Sequence, residues 1–434
     1  MIDQNITRPQ TAVNNALRVI EWKQPVAVAV IALVIAFSRM SDRMIYGFLW
    51  AEDGKIFLKG AYDLGVRSVF TPYAQYLHVI PRLLVLAFSH VARIDQAARP
   101  LMWMAALVLA ATCAYLFTFA RKTLPLPAAW AFGLAPILIP SSGEVWLTIT
   151  NIQWVIAPAL LVLLWDEFCS PAAAISRRSG DIVRGTAITL MTLTGPFGII
   201  FAPVVVISLI VTRHVRRSHG AWLAIAAYFA AILVQLAMIA THHQPAFTPD
   251  MVPRVPLPTW LHYPWKGHFL RFLALDFAIP SDWTVKMGGG WTGAALVVTA
   301  AIASCAGFAG HRYRVVCVAL CALAIGLWMV GVMRTGTPQI DMKWDYYGGR
   351  YFYVPFILIA WSLIISLATT PYFAIRFAAG MLLTTCLLNS VNEWRPTVWA
   401  HSGVIYREDA RVWQLIIPPT PEWFVDLTPA QIGK

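Results

Sequence analysis

The sequence predicts an all-α, polytopic membrane protein with about 10–12 transmembrane or re-entrant helices, and three observations carry that prediction. Hydrophobic residues fill 59% of the 434 positions and charged residues only 12%, where a soluble domain carries about 25% charged residues. The deficit is concentrated in long uncharged stretches, as a bilayer core requires. Stretches such as Val26–Phe37, Leu101–Ala120 and Tyr351–Leu367 are continuous or helix-periodic. They suit helices, which satisfy their own backbone groups in lipid, and not the alternating strands of a lipid-facing barrel.

The apolar segments fall, in order, at 25–39, 74–92, 100–120, 126–140, 152–168, 186–196, 197–212, 220–240, 291–309, 315–333, 351–368 and 372–391. The polar start, Met1 to Lys23, lacks a cleavable signal pattern and is expected in the cytoplasm. Gly195-Pro196, and again Pro203, break the unit Thr186–Thr212. Arginines flank it on both sides, at Arg177, Arg178 and Arg184 and at Arg213, Arg216 and Arg217. Both ends therefore read as cytoplasmic, and the unit enters and returns as short helices or a re-entrant hairpin. Broken backbone at that depth needs protein or a watery cavity around it.

From that anchor the second half closes, with outer loops at 241–290 and 334–350 and an outside tail from residue 392. The first half puts the loop 40–73 outside. Between Arg99 and Arg177 lie three apolar segments where parity asks for two or four crossings, so 126–140, with Pro136 and Pro140, is expected to be re-entrant or half-buried. Residues 1–391 then form one transmembrane unit and 392–434 a short tail.

The net charge of +12 arises from basic clusters between apolar runs. It reads as a cytoplasmic-loop excess and not as a nucleic-acid surface. The six cysteines form no CxxC pair and lie mostly within apolar runs, which makes them small core residues. The histidines His242, His243, His262 and His268 match no metal spacing.

Four clusters carry chemistry. In Trp50-Ala51-Glu52-Asp53-Gly54, adjacent carboxylates near a bilayer are costly to hold. One can take a proton from a hydroxyl while its neighbour orients an acceptor or holds a cation; a solvated turn at Gly54 is the plainer alternative. In Thr71 to Arg82, Tyr73, Tyr76 and His78 offer stacking and hydrogen bonds to a sugar, and Arg82, four residues beyond His78, offers a phosphate partner. An interfacial aromatic belt with a snorkelling arginine explains the same residues. Glu144, Asn151, Gln153 and Trp154 bring polar groups into an apolar run, for a ligand or for helix capping and helix–helix bonding. Last, Gly349-Arg350-Tyr351 sets an arginine at the outer mouth of a helix, against the positive-inside trend. Arg350 there suits a phosphate, or serves as an interfacial anchor.

In Ala51-Glu52-Asp53-Gly54, Pro72-Tyr73 through His78 with Pro81-Arg82, Asn151-Ile152-Gln153-Trp154, Leu193-Thr194-Gly195-Pro196-Phe197 and Gly349-Arg350-Tyr351, the chain resembles the GT-C membrane glycosyltransferases. It is most similar to the bacterial branch that decorates O-antigen and other surface polysaccharides. The resemblance implies an inverting hexosyl or pentosyl transfer from a polyprenyl-phosphate-linked sugar to a glycan or lipid-linked acceptor. It implies a bacterial cytoplasmic membrane, with the active site on the outer face and membrane lipid around it. An acidic residue of the first outer loop activates the acceptor; by position this is Asp53, with Glu52 supporting the acceptor. No cofactor is required, although the adjacent carboxylates offer a divalent cation a site. The sequence lacks the large soluble C-terminal domain of many relatives. A polytopic transporter or glycolipid flippase would share the helices and buried polar groups, and is the alternative class.

Overall fold

The computed structural model describes residues 22–91, 93–141, 143–168, 178–211, 219–242, 276–279, 291–335, 349–392, 403–407, 412–417 and 424–428. Each apolar segment of the sequence is helical: α1 (Lys23–Arg39), α2 (Val79–Ser89), α3 (Ala98–Ala120), α4 (Leu126–Leu138), α5 (Ile152–Phe168), α6 (Arg178–Thr192), α7 (Phe197–Val211), α8 (His219–Thr241), α9 (Trp291–Gly307), α10 (Arg314–Thr335), α11 (Arg350–Thr369) and α12 (Phe373–Asn392). Among the described residues, five helices are long and apolar enough to cross a bilayer: α3, α8, α11, α12 and the Arg314–Gly331 part of α10. The protein is a mostly helical, membrane-embedded molecule. Most of the loops 241–290 and 334–350, and Met1–Glu21, lie outside the described residues.

Burial ranks the helices. α11 has 83% of its apolar window buried, against 28% for α10 and α12 and 33% for α8. It is the central post of the bundle, while the others turn apolar surface outward. Phe132 of α4 stacks on Trp361 of α11 at 4.1 Å, and the Trp361 indole donates to the Phe132 carbonyl at 3.0 Å. α4, only 13 residues long, packs among α1, α3 and α11. At about 1.5 Å per residue it is shorter than a hydrocarbon core. The described cysteines Cys113, Cys305, Cys317 and Cys386 are buried; Cys321 faces the Ser362 hydroxyl of α11.

Three local expectations are corrected. The helix expected from residue 74 begins at Val79, because Tyr73 and Tyr76 exchange backbone hydrogen bonds at 3.0 and 3.2 Å around Ala74 (φ 51°) and Gln75 (φ 79°). The break near Gly195 is real, but Pro203 lies inside an uninterrupted α7. The tail is not a plain extension. Its β-branched and aromatic runs form an antiparallel sheet of β1 (Gly403–Arg407), β2 (Val412–Ile416) and β3 (Phe424–Leu427), with Ile405 opposite Gln414 and Leu415 opposite Val425. Leu415, Ile417, Val425 and Leu427 join one apolar core with Leu49, Phe57 and Leu58. The all-helical body therefore carries a small β module, seated on the wide helical turn Asp53–Leu58.

Candidate functional site

A cavity of about 460 Å³ opens where the Tyr73–His78 turn, the Gly195-Pro196 break and the start of α11 converge. Of the twelve site residues read from the sequence, nine line it. Glu52, Tyr73, Tyr76 and His78 come from the segment between α1 and α2, Asn151, Gln153 and Trp154 from the start of α5, and Arg350 and Tyr351 from the start of α11.

Glu52 precedes the wide helical turn and presents its carboxylate to the cavity. The Tyr73 hydroxyl donates to Oε1 at 3.0 Å; Oε2 is buried and has no partner among the described residues. His78 is 1% exposed and stands among aromatic rings, 4.8 Å from Tyr76, 5.8 Å from Tyr73 and 5.3 Å from Phe57 between centroids. Among the described residues neither ring nitrogen has a hydrogen-bond partner of ordinary geometry, and the same holds for Gln153 Oε1 and Trp154 Nε1. Trp154 meets Phe197 at 4.9 Å and Tyr351 at 5.3 Å, edge to face. Buried polar atoms are nearly always bonded, so four such residues around one cavity mark a surface made for a polar ligand.

Arg350 supplies the positive charge. Its Nη1 donates to Glu144 Oε1 at 2.8 Å and its backbone N–H to Glu144 Oε2 at 3.2 Å. Glu144 is fully buried behind the cavity wall, the arginine side chain 22% exposed. Burial pushes the Glu144 carboxyl up, and the Arg350 charge opposes that rise. Glu144 is thus the arginine's counter-ion and not a lining residue. Asn151 secures the same wall by donating from Nδ2 to the Glu144 carbonyl at 2.9 Å.

Two residues are corrected. Asp53, expected as the base, is fully buried and absent from the cavity wall. Its Oδ1 accepts the Thr150 N–H at 2.7 Å, and Oδ2 accepts those of Trp50 and Ile149 at 3.0 and 3.2 Å. Burial lifts its carboxyl to about 7, with the three N–H groups working against the rise. It pins the segment between α1 and α2 to the loop before α5. Arg82 also turns away: its guanidinium lies 4.8 Å over Phe57 and donates to the Ile56 carbonyl at 3.2 Å. The shared helix face fails because His78 (φ −126°, ψ 62°) precedes the helix. Of the adjacent carboxylates, Glu52 faces the cavity and Asp53 is enclosed by N–H groups. Among the described residues no three His, Cys, Asp or Glu side chains gather; His243, His262 and His268 lie outside them.

Sequence reading missed Phe57, which backs both His78 and Arg82, and the apolar wall of Ile199, Ile200, Ile239, Leu327 and Val330. These are ordinary apolar residues within apolar runs, so no local signal sets them apart. Fold and site together define a membrane-embedded helical protein with a cavity half aromatic and polar, half aliphatic. No family model matches the chain, and no curated protein or solved structure matches it significantly.

Proposed function

We propose that the chain is a GT-C-type inverting glycosyltransferase. It takes a sugar from a polyprenyl-phosphate donor and passes it to a glycan or lipid-linked acceptor at the outer face of a bacterial cytoplasmic membrane. The observation that carries the reading is the Glu52 carboxylate. One oxygen is oriented by Tyr73 and the other is buried and unpartnered, in the same cavity as the Arg350 guanidinium. The acceptor hydroxyl oxygen attacks the anomeric carbon and its proton passes to Glu52 Oε2. The bond from that carbon to the phosphate oxygen breaks, and the polyprenyl phosphate leaves with the electron pair. Arg350 offsets the charge that builds on the departing phosphate. Tyr73, Tyr76 and His78 give the sugar stacking faces, and the aliphatic wall suits the first part of a lipid chain. The base is then Glu52 and not Asp53. This chemistry asks for no cofactor.

The test is transfer by purified protein from a panel of polyprenyl-phosphate sugars. Glu52→Gln lowers the rate on the order of 10²–10⁴-fold, the usual worth of a general base, while Asp53→Asn keeps measurable transfer. The reverse pattern returns the role to Asp53. Proteoliposomes that move the lipid-linked sugar without forming a glycosidic bond would point to the transporter class instead.

A further inference from the structure

Gln235 lies inside the otherwise apolar helix α8 and is fully buried. An amide at that depth needs partners, and the partners it has are unusual. Its Oε1 accepts the Leu77 N–H at 2.9 Å, while Nε2 lies 3.3 Å from the Leu77 carbonyl, 3.2 Å from the Thr192 carbonyl and 3.2 Å from the Gly195 carbonyl. Two amide hydrogens serve three carbonyls, so one is shared. Towards Leu77 the side chain behaves as a neighbouring strand's peptide would, accepting from its N–H and donating to its C=O. Towards Thr192 it satisfies a carbonyl that the end of α6 leaves without a helical partner.

The two segments it joins are the two walls of the cavity. Leu77 sits between Tyr76 and His78, and Gly195 is followed by Pro196 and Phe197. The walls also bond directly, Gly195 N–H to Leu77 C=O at 2.9 Å, Val79 N–H to Leu193 C=O at 3.2 Å and Ile80 N–H to Thr194 Oγ1 at 3.0 Å. Gln235 is the side chain that spans both from a third element, and Ile239, one turn further along α8, reaches the cavity itself.

We infer that Gln235 is a positioning residue: its amide locks the Tyr73–His78 turn to the Gly195-Pro196 break, and so fixes the sugar-facing rings and the Tyr73 hydroxyl that orients Glu52. Its effect on transfer rests on the transferase reading; the lock itself does not. Misplacement of reacting groups by about 1 Å costs on the order of 100-fold, so loosening the walls lowers kcat.

Hydrogen–deuterium exchange of the detergent-solubilised full chain, read alongside transfer kinetics, tests this. Gln235→Leu is expected to raise exchange at 73–80 and 192–198 together, with the rest of α8 unchanged, and to lower kcat by roughly 10–100-fold. Gln235→Glu keeps the acceptor for Leu77 N–H and loses both donors. It regains one donor when its carboxyl is protonated, so wall protection recovers towards acid pH, a recovery Gln235→Leu cannot show. Unchanged exchange at either wall in both variants overturns the lock, whatever the wild type transfers. Loosened walls with wild-type kcat overturn the positioning role. A wild type that transfers no sugar while Gln235→Leu still loosens both walls refutes the transferase reading and leaves the lock standing.

Discussion

Removing Arg350 leaves Glu144 as a buried carboxylate whose charge answers nothing. Both its oxygens bond to Arg350, one to the guanidinium at 2.8 Å and one to the backbone N–H at 3.2 Å, and the residue has no exposed surface. Breaking such a pair from one side costs about 3–5 kcal/mol. Arg350 is 22% exposed and the backbone N–H survives, so about 2–3 kcal/mol is the expected loss for Arg350→Ala. Glu144→Gln retains both acceptor and shape and strands a cation with an open edge, for about 1–2 kcal/mol. The double variant removes both charges, and its cost is expected to fall short of the sum by about 1–2 kcal/mol. Equilibrium unfolding in mild detergent, run on all four proteins, measures the coupling. Additive losses, or an Arg350→Ala protein as stable as wild type, would refute the pairing as the reason Glu144 is tolerated there.

Three further predictions follow from single positions. Asp53 holds its proton in the folded protein up to about pH 7, against 3.8 for an ordinary aspartate, so the stability it contributes is complete below about pH 4 and is lost as pH rises through 7. Thermal unfolding between pH 5 and 8 should show that loss in the wild type and a flatter profile in Asp53→Asn. Gly195 has φ +93°, and a Cβ there would fall 2.2 Å from Gln153 Oε1; Gly195→Ala should lower stability by about 1–3 kcal/mol, and a variant with wild-type unfolding would refute the geometry. A Cβ on Gly54 would meet the Ile417 side chain, at 2.0 Å from Cδ1 and 2.9 Å from Cγ1, so Gly54→Ala should cost about 1 kcal/mol and be partly rescued by Ile417→Val, which removes the Cδ1 methyl; rescue absent, the tail sheet does not seat on this turn.

The helices were legible because lipid leaves one solution for an uncharged apolar run, and every such run here is helical. What could not be read is what depends on a partner distant in sequence. The Tyr73–Tyr76 turn replaces the first residues of the expected helix because Leu77 bonds to Gly195 and Gln235, and nothing near residue 77 announces that. Pro203 looks like a second break, yet it stands inside a continuous α7, where a proline removes one hydrogen bond that the rest of the helix tolerates. Strands β1–β3 are four or five residues each, too short to distinguish by periodicity from loop. Gln235 did carry a signal: it is the lone amide of a 23-residue apolar helix, and polar groups in such helices have reasons.

The adjacent pair Glu52 and Asp53 shows how far chemistry alone reaches and where geometry must take over. Successive residues in a helical segment point about 100° apart, so the two carboxylates meet different surroundings. Asp53 faces the loop 143–151, whose backbone N–H groups at Ile149 and Thr150 would otherwise be buried without partners. Asp53 meets those N–H groups, and its shorter side chain suits the close approach, 2.7 Å to Thr150 N. Glu52, one methylene longer, is left to reach into the cavity, where Tyr73 takes one oxygen and leaves the other open. Position in the loop therefore selects the pair, and hydrogen-bond accounting of the facing loop selects the member. By that accounting the buried aspartate builds the wall and the glutamate beside it is the one able to meet a ligand.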